Sequence, residues 1–165
     1  MTTRLPTFSV SAALAYASKT LSEPPKWEHV ERVADAGELV ARFVLPLELC
    51  QTSNARMRGG LKQRFAEAAI KRKTYELMRI QNGGRNFDSP LSGRPQVLAV
   101  RFSSRETDAT SDWSKNCVDR LLVGKNGLGL LRDDSPKWAS VKTWCEYAEA
   151  GKGFVLLMVF TGEKK

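Results

Sequence analysis

At 165 residues and 18.4 kDa, the chain has room for one ordinary domain whose core needs no disulfide or metal staple. Its 42% hydrophobic and 27% charged residues exclude a wholly disordered, collagen-like or coiled-coil chain, and the longest unbroken apolar run, Phe154 to Phe160, is too short to span a membrane. The formal charge of +8 is concentrated in the middle of the chain: residues 1–50 carry −1, residues 51–105 carry +9 and residues 106–165 carry 0. A basic block of this kind suits a polyanion such as nucleic acid or an anionic surface, and it serves equally as a solubilising face.

In chain order, residues 1–40 read as an N-terminal extension, partly helical or flexible, with a break at Pro24 and Pro25 and a short helix over Trp27 to Leu39. The small residues from Phe8 to Ala17 only faintly imitate a signal peptide, because Ser9 and Ser11 interrupt them, so a cytoplasmic protein is expected. Arg42 to Cys50 alternates as a strand, and Pro46 suits it to a sheet edge. Gln51 to Gly60 is a polar, basic loop. Leu61 to Ile80 is a helix with Leu61, Phe65, Ala68 and Ala69 at helical spacing, stopped by Gly83 and Gly84.

Gln96 to Phe102 reads as a central strand, and Ser111 to Leu122 as a second helix capped by Ser111 or Asp112. A Gly-containing loop, Gly124 to Gly129, and an Asp-Asp-Ser-Pro turn follow. Val141 to Tyr147 and Phe154 to Phe160 are the last strands, joined through Gly151 to Gly153. The expected fold is a compact single α/β domain over residues 41–165, with a mixed β-sheet and two main helices.

Soft metal ligands are scarce. Cys50, Cys117 and Cys145 are far apart and His29 is the sole histidine, so the cysteines read as reduced core residues, and neither a zinc site nor a Cys–His nucleophile is expected. Any metal would be a hard cation held by oxygen.

Oxygen ligands, by contrast, gather. Asp108, Asp112, Asp119, Asp133 and Asp134 fall within 27 residues. Steps of three and four put Asp112, Lys115 and Asp119 on one helix face, with Cys117, Val118, Leu121 and Leu122 on the buried side. Converging carboxylates beside a lysine are what Mg²⁺-dependent phosphodiester cleavage requires, since the cation offsets their repulsion and activates water. The same residues also make ordinary caps, a helix-surface pair and turn residues.

The basic group consists of Asn54, Arg56, Arg58, Lys62, Arg64, Lys71, Arg72 and Lys73, with only Glu67 and Glu76 to offset it up to Arg79. Cationic side chains, a Gly-Gly pair and a helix N-terminus together favour phosphate binding over a merely solvated face.

Four pieces in order resemble the RusA-like Holliday-junction resolvases. They are LPLELCQTSNARMRGG (Leu45 to Gly60), GRPQVLAVRFSSRETD (Gly93 to Asp108), SDWSKNCVDRLL (Ser111 to Leu122) and LGLLRDDSPKW (Leu128 to Trp138). The resemblance implies a RusA-like nuclease domain: a small homodimer, bacterial or phage-borne, that resolves branched DNA by paired Mg²⁺-dependent nicks, Mn²⁺ being an alternative ion. It implies a catalytic set of Asp108, Asp112, Lys115, Asp133 and Asp134, with Asp108, Asp112 and Asp134 on the metal and Asp119 supporting. The family's Asp-x-Asp-Asn-x-x-Lys motif is altered here: counting back from Lys115, Asp112 stands in the Asn position, Ser111 and Ala109 in the two Asp positions. Asp108 and Asp112 serve only with the loop shifted by a residue each way. A junction-binding protein on the same fold, impaired in cleavage, is therefore the alternative expectation.

Overall fold

The computed structural model describes residues 38–50, 60–104, 112–150 and 153–162; the side chains of residues 60–64 and 144 lie outside the description. Strands β1 (Leu39–Leu45), β2 (Gln96–Ser103), β3 (Ser140–Tyr147) and β4 (Phe154–Phe160) form one sheet in the order β1-β4-β2-β3. β4 runs antiparallel to both neighbours, and β2 and β3 are parallel, so the sheet is mixed. The helices are α1 (Gly60–Gln81) and the short α2 (Lys115–Asp119).

The patterns explain these positions. All seven residues of β4 are buried, as a strand between two others and covered on both faces must be. β1 lies at an edge, as expected, yet Pro46 falls just past its end and opens a 3-10 turn over Leu47–Leu49. The outer side of β1 is satisfied by a side chain. Val44 N–H donates to Gln81 Oε1 (2.7 Å) and Gln81 Nε2 donates to the Val44 carbonyl (2.8 Å), so an amide from the end of α1 stands in for a further strand. β3 and β4 are consecutive in sequence, but β2 lies between them.

α1 ends as expected. Gly83 and Gly84 adopt φ of 71° and 77°, and Gly84 N–H donates to the Arg79 carbonyl at 2.8 Å. Its packing differs from the sequence expectation. Phe65 is 72% exposed and Ala68 and Ala69 are exposed, whereas Ile70, Thr74, Leu77 and Met78 face the core. At about 100° per residue, Phe65, Ala68 and Ala69 lie on the face opposite to Ile70, Thr74, Leu77 and Met78, so the spacing picked the wrong side of α1; its C-terminal half packs the latter set toward β1 and α2.

The expected helix over Ser111–Leu122 is also shorter than its pattern. Trp113, 2% exposed, is drawn into the core before the helix begins, so Ser114 is the N-cap, with no side-chain cap bond. At the other end the backbone is taken by a neighbouring segment. Leu128 N–H donates to the Arg120 carbonyl (2.8 Å) and Leu130 N–H to that of Leu121 (2.8 Å), beside a parallel bridge between Leu122 and Leu131. Those carbonyls are lost to the helix.

The expected extension over residues 1–40 and its Trp27–Leu39 helix lie outside the described residues up to residue 37, and Leu39 itself begins β1; the expected Gln51–Gly60 loop lies outside them up to residue 59, and Gly60 begins α1. Among the described residues, no helix is long and apolar enough to cross a membrane.

Candidate functional site

The site is built around α2, which is too short to hold its place alone. Buried polar contacts fix it. Asn116, 5% exposed, donates from Nδ2 to the Leu49 carbonyl (3.1 Å) and to Thr74 Oγ1 (2.9 Å), tying α2 to the end of the 3-10 turn and to the middle of α1. Thr74 Oγ1 donates in turn to the Ile70 carbonyl. Cys117 Sγ donates to the Ser114 carbonyl (3.0 Å). It also lies against the buried Cys50: a hydrogen bond to that thiol and complete burial push the Cys117 thiol well above its ordinary range, so Cys117 stays a protonated core residue. Arg101 donates from Nη1 to the Cys50 carbonyl and lies 5.8 Å above the Trp113 ring, bracing the turn before α2.

This anchoring buries Asn116, Cys117 and Val118 and leaves Lys115 exposed with Asp119 half-buried on the outer side. Burial, first, raises the Asp119 carboxyl above its usual range. The negative charge of Asp134 raises it further, while the cations of Arg120, Lys115 and Lys71 pull it back. Asp119 thus sits within electrostatic reach of a second carboxylate from the 133–136 turn, of a lysine on its own helix and of a lysine on α1. Arg120 is itself lowered by burial, with Asp119 opposing that shift, and its Nη1 donates to the Asn126 carbonyl (3.3 Å).

The two neighbouring aspartates of the turn have different tasks. Asp133 Oδ1 accepts the Ser135 N–H at 2.7 Å, and this bond holds its carboxyl below the usual range. Asp133 shapes the turn; Asp134, exposed, is the one whose charge reaches Asp119. Asp112 is half-buried in the turn before α2, where its carbonyl accepts the Lys115 N–H (3.0 Å), so it does not share a helix with Lys115 and Asp119. Asp108, Asn54, Arg56 and Arg58 lie outside the described residues, as do the side chains of Lys62 and Arg64. Lys71, Arg72 and Lys73 are exposed on α1.

The surroundings include residues that sequence reasoning missed. Trp138 is half-buried, with the Arg132 guanidinium 4.8 Å and the Lys137 ammonium 5.2 Å from its ring. These cations flank the Asp133–Asp134 turn, and the interleaving Arg-Asp-Asp-Ser-Pro-Lys-Trp was the available signal. Arg94 Nε, donating to the Pro136 carbonyl (2.6 Å), holds the same turn from outside.

Among the described residues, no group of three or more His, Cys, Asp or Glu side chains is arranged to hold a metal ion. Of the described aspartates, Asp134 is within electrostatic reach of Asp119. Two carboxylates with lysines around them fit a hydrated Mg²⁺, which binds through one or two carboxylates and keeps several waters. No family model, no curated protein and no solved structure matches the chain.

Proposed function

We propose that the protein is a Mg²⁺-dependent endodeoxyribonuclease that acts on branched DNA, four-way junctions included, as a homodimer in a bacterial or phage-infected cytoplasm. The observation that carries this reading is that the Asp119 carboxyl feels the charges of Asp134, of Lys115 on its own helix and of Lys71 on α1. Arg120, Lys115 and Lys71 already offset part of the repulsion from Asp134, and a bound divalent cation would offset the rest. Asp119 and Asp134 would hold the ion, with Asp112 and Asp108 the further candidates from the resemblance to the RusA-like resolvases. Bound there, Mg²⁺ would supply charge neutralisation at the phosphate and a more acidic water.

The protein's own groups do the rest. Lys71, Arg72 and Lys73 contact backbone phosphates without reading sequence, bringing the strand along α1 to the acidic pair. Lys115 stabilises charge on the scissile phosphate from the opposite helix. Arg132 and Lys137 extend the positive surround on the far side of the turn.

A second reading is a junction-binding protein that does not cut. The departure at Ser111 and Ala109 from the family motif favours it. Incubation with a four-way junction and a matched linear duplex, with and without Mg²⁺, separates the two. Paired nicks confined to the junction and requiring Mg²⁺ support the nuclease. Tight junction binding with no nicks in Mg²⁺ or Mn²⁺ establishes the binding protein, and equal affinity for junction and duplex removes both.

A further inference from the structure

The turn that carries Asp133 and Asp134 is tied down at several points. Asp133 Oδ1 accepts the Ser135 N–H (2.7 Å), and the Ser135 carbonyl accepts the N–H groups of Trp138 (2.9 Å) and Ala139 (3.0 Å). Ala139 is buried in the core and roots the turn there. Three cationic side chains are fixed on this frame. Arg94 Nε donates to the Pro136 carbonyl (2.6 Å), while the half-buried Trp138 ring holds the Arg132 guanidinium at 4.8 Å and the Lys137 ammonium at 5.2 Å.

Holding long cationic side chains in place costs rotamer freedom, and a neighbouring carboxylate is the ordinary partner that repays it. Here, among the described residues, none of the three makes an ion pair, although two aspartates stand on the same turn. Asp133 is engaged by the Ser135 N–H, and the charge of Asp134 acts on Asp119. The exposed guanidinium of Arg132, the ammonium of Lys137 and the remaining N–H groups of Arg94 keep their donors for a partner from outside. Two planar forks and a point charge on one rigid turn suit the oxygens of a phosphate. The position agrees, because Asp119 feels both Asp134 of this turn and Lys71 of α1.

We infer that the 132–138 turn is a second phosphate-binding surface, on which Arg94, Arg132 and Lys137 hold a backbone phosphate of the DNA apart from those held by α1. This rests on the proposed action on DNA and adds to it a second element that grips the strand beside the acidic residues.

The test uses the full chain in EDTA and again in Ca²⁺, so that binding is read apart from Mg²⁺-dependent cleavage. A labelled four-way junction and its matched duplex are titrated by fluorescence anisotropy at several KCl concentrations. Arg132→Gln with Lys137→Gln is compared with Lys125→Gln with Lys142→Gln, which removes the same charge from two exposed lysines elsewhere. The first pair should weaken binding about tenfold and lower the salt slope by about one to two units, and the second should stay within about threefold of the parent. In the unsubstituted protein, bound DNA should protect Lys137 from acetylation more than Lys125 or Lys142. An unchanged slope, equal weakening by the two pairs, or no protection of Lys137 while DNA is bound would overturn this inference and leave binding by α1 standing. If the unsubstituted chain binds neither junction nor duplex, the proposed function falls and this inference with it.

Discussion

At the scale of single residues, Asp133 and Asp134 are adjacent and unlike. Asp133→Asn keeps a side-chain oxygen for the Ser135 N–H, so cleavage is expected to persist within a few-fold of the parent. Asp134→Asn removes the charge that faces Asp119; cleavage should be lost while junction binding stays equal or tightens, since one anion fewer repels phosphate. Gel-shift and nicking assays on the same preparations check both, and equal loss in the two variants would sink the division of labour. Asp119 also makes a prediction in pH. Its carboxyl is raised in the folded protein, so the native state binds the proton more tightly than the unfolded chain, and stability falls as pH rises from the ordinary carboxylate range through the raised value. Asp119→Asn should therefore raise the urea midpoint at pH 7, and that gain should vanish below pH 4, where the parent carboxyl is protonated. A gain that grows on acidification would contradict the assignment.

At the scale of elements, α2 depends on one buried amide. Asn116→Ala removes donors to the Leu49 carbonyl and Thr74 Oγ1 and leaves that buried carbonyl short of a partner, at a cost of about 1–3 kcal/mol in urea unfolding. Cleavage should fall further than stability accounts for, because Lys115 and Asp119 ride on the displaced helix. The basic stretch of α1 is tested differently. Neutralising Arg72 and Lys73 together should weaken binding to junction and duplex alike and flatten the salt dependence by about one to two units of slope. Much of this element-level picture was legible beforehand. The β4 run of seven apolar residues reads as an interior strand, and the Gly83–Gly84 stop reads as a helix end, because both signals are local. The errors share a cause. Spacing at Leu61, Phe65, Ala68 and Ala69 marks one apolar side of α1, but Ile70, Leu77 and Met78 make another on the opposite side, and only the sheet decides which of the two is buried. Likewise nothing near Ser111 announces that Trp113 will be drawn into the core, or that Leu128–Leu131 will take the carbonyls after α2. The candidate site was half legible: the Lys115–Asp119 spacing and the Asp-Asp turn were visible, while their mutual approach, and the roles of Asn116 and Arg132, depend on tertiary packing.

For the whole molecule, the proposed cutting of two strands from one site per 18.4 kDa subunit would call for a two-fold dimer, so light scattering should read about twice that mass. A monomer that still makes paired nicks would contradict the mechanism. The strand order has a further consequence, in time rather than in space. Among the described residues β4 is the last strand in sequence and lies between β1 and β2, which no hydrogen bonds of the sheet join directly. Until Phe154–Phe160 have left the ribosome, the nascent chain holds β1 on one side and the β2–β3 pair on the other, with the middle of the sheet missing. A chain truncated before Phe154 would lack the middle of its sheet, and the β1 and β2–β3 parts would be joined only by contacts such as Arg101 to the Cys50 carbonyl and Asn116 to the Leu49 carbonyl.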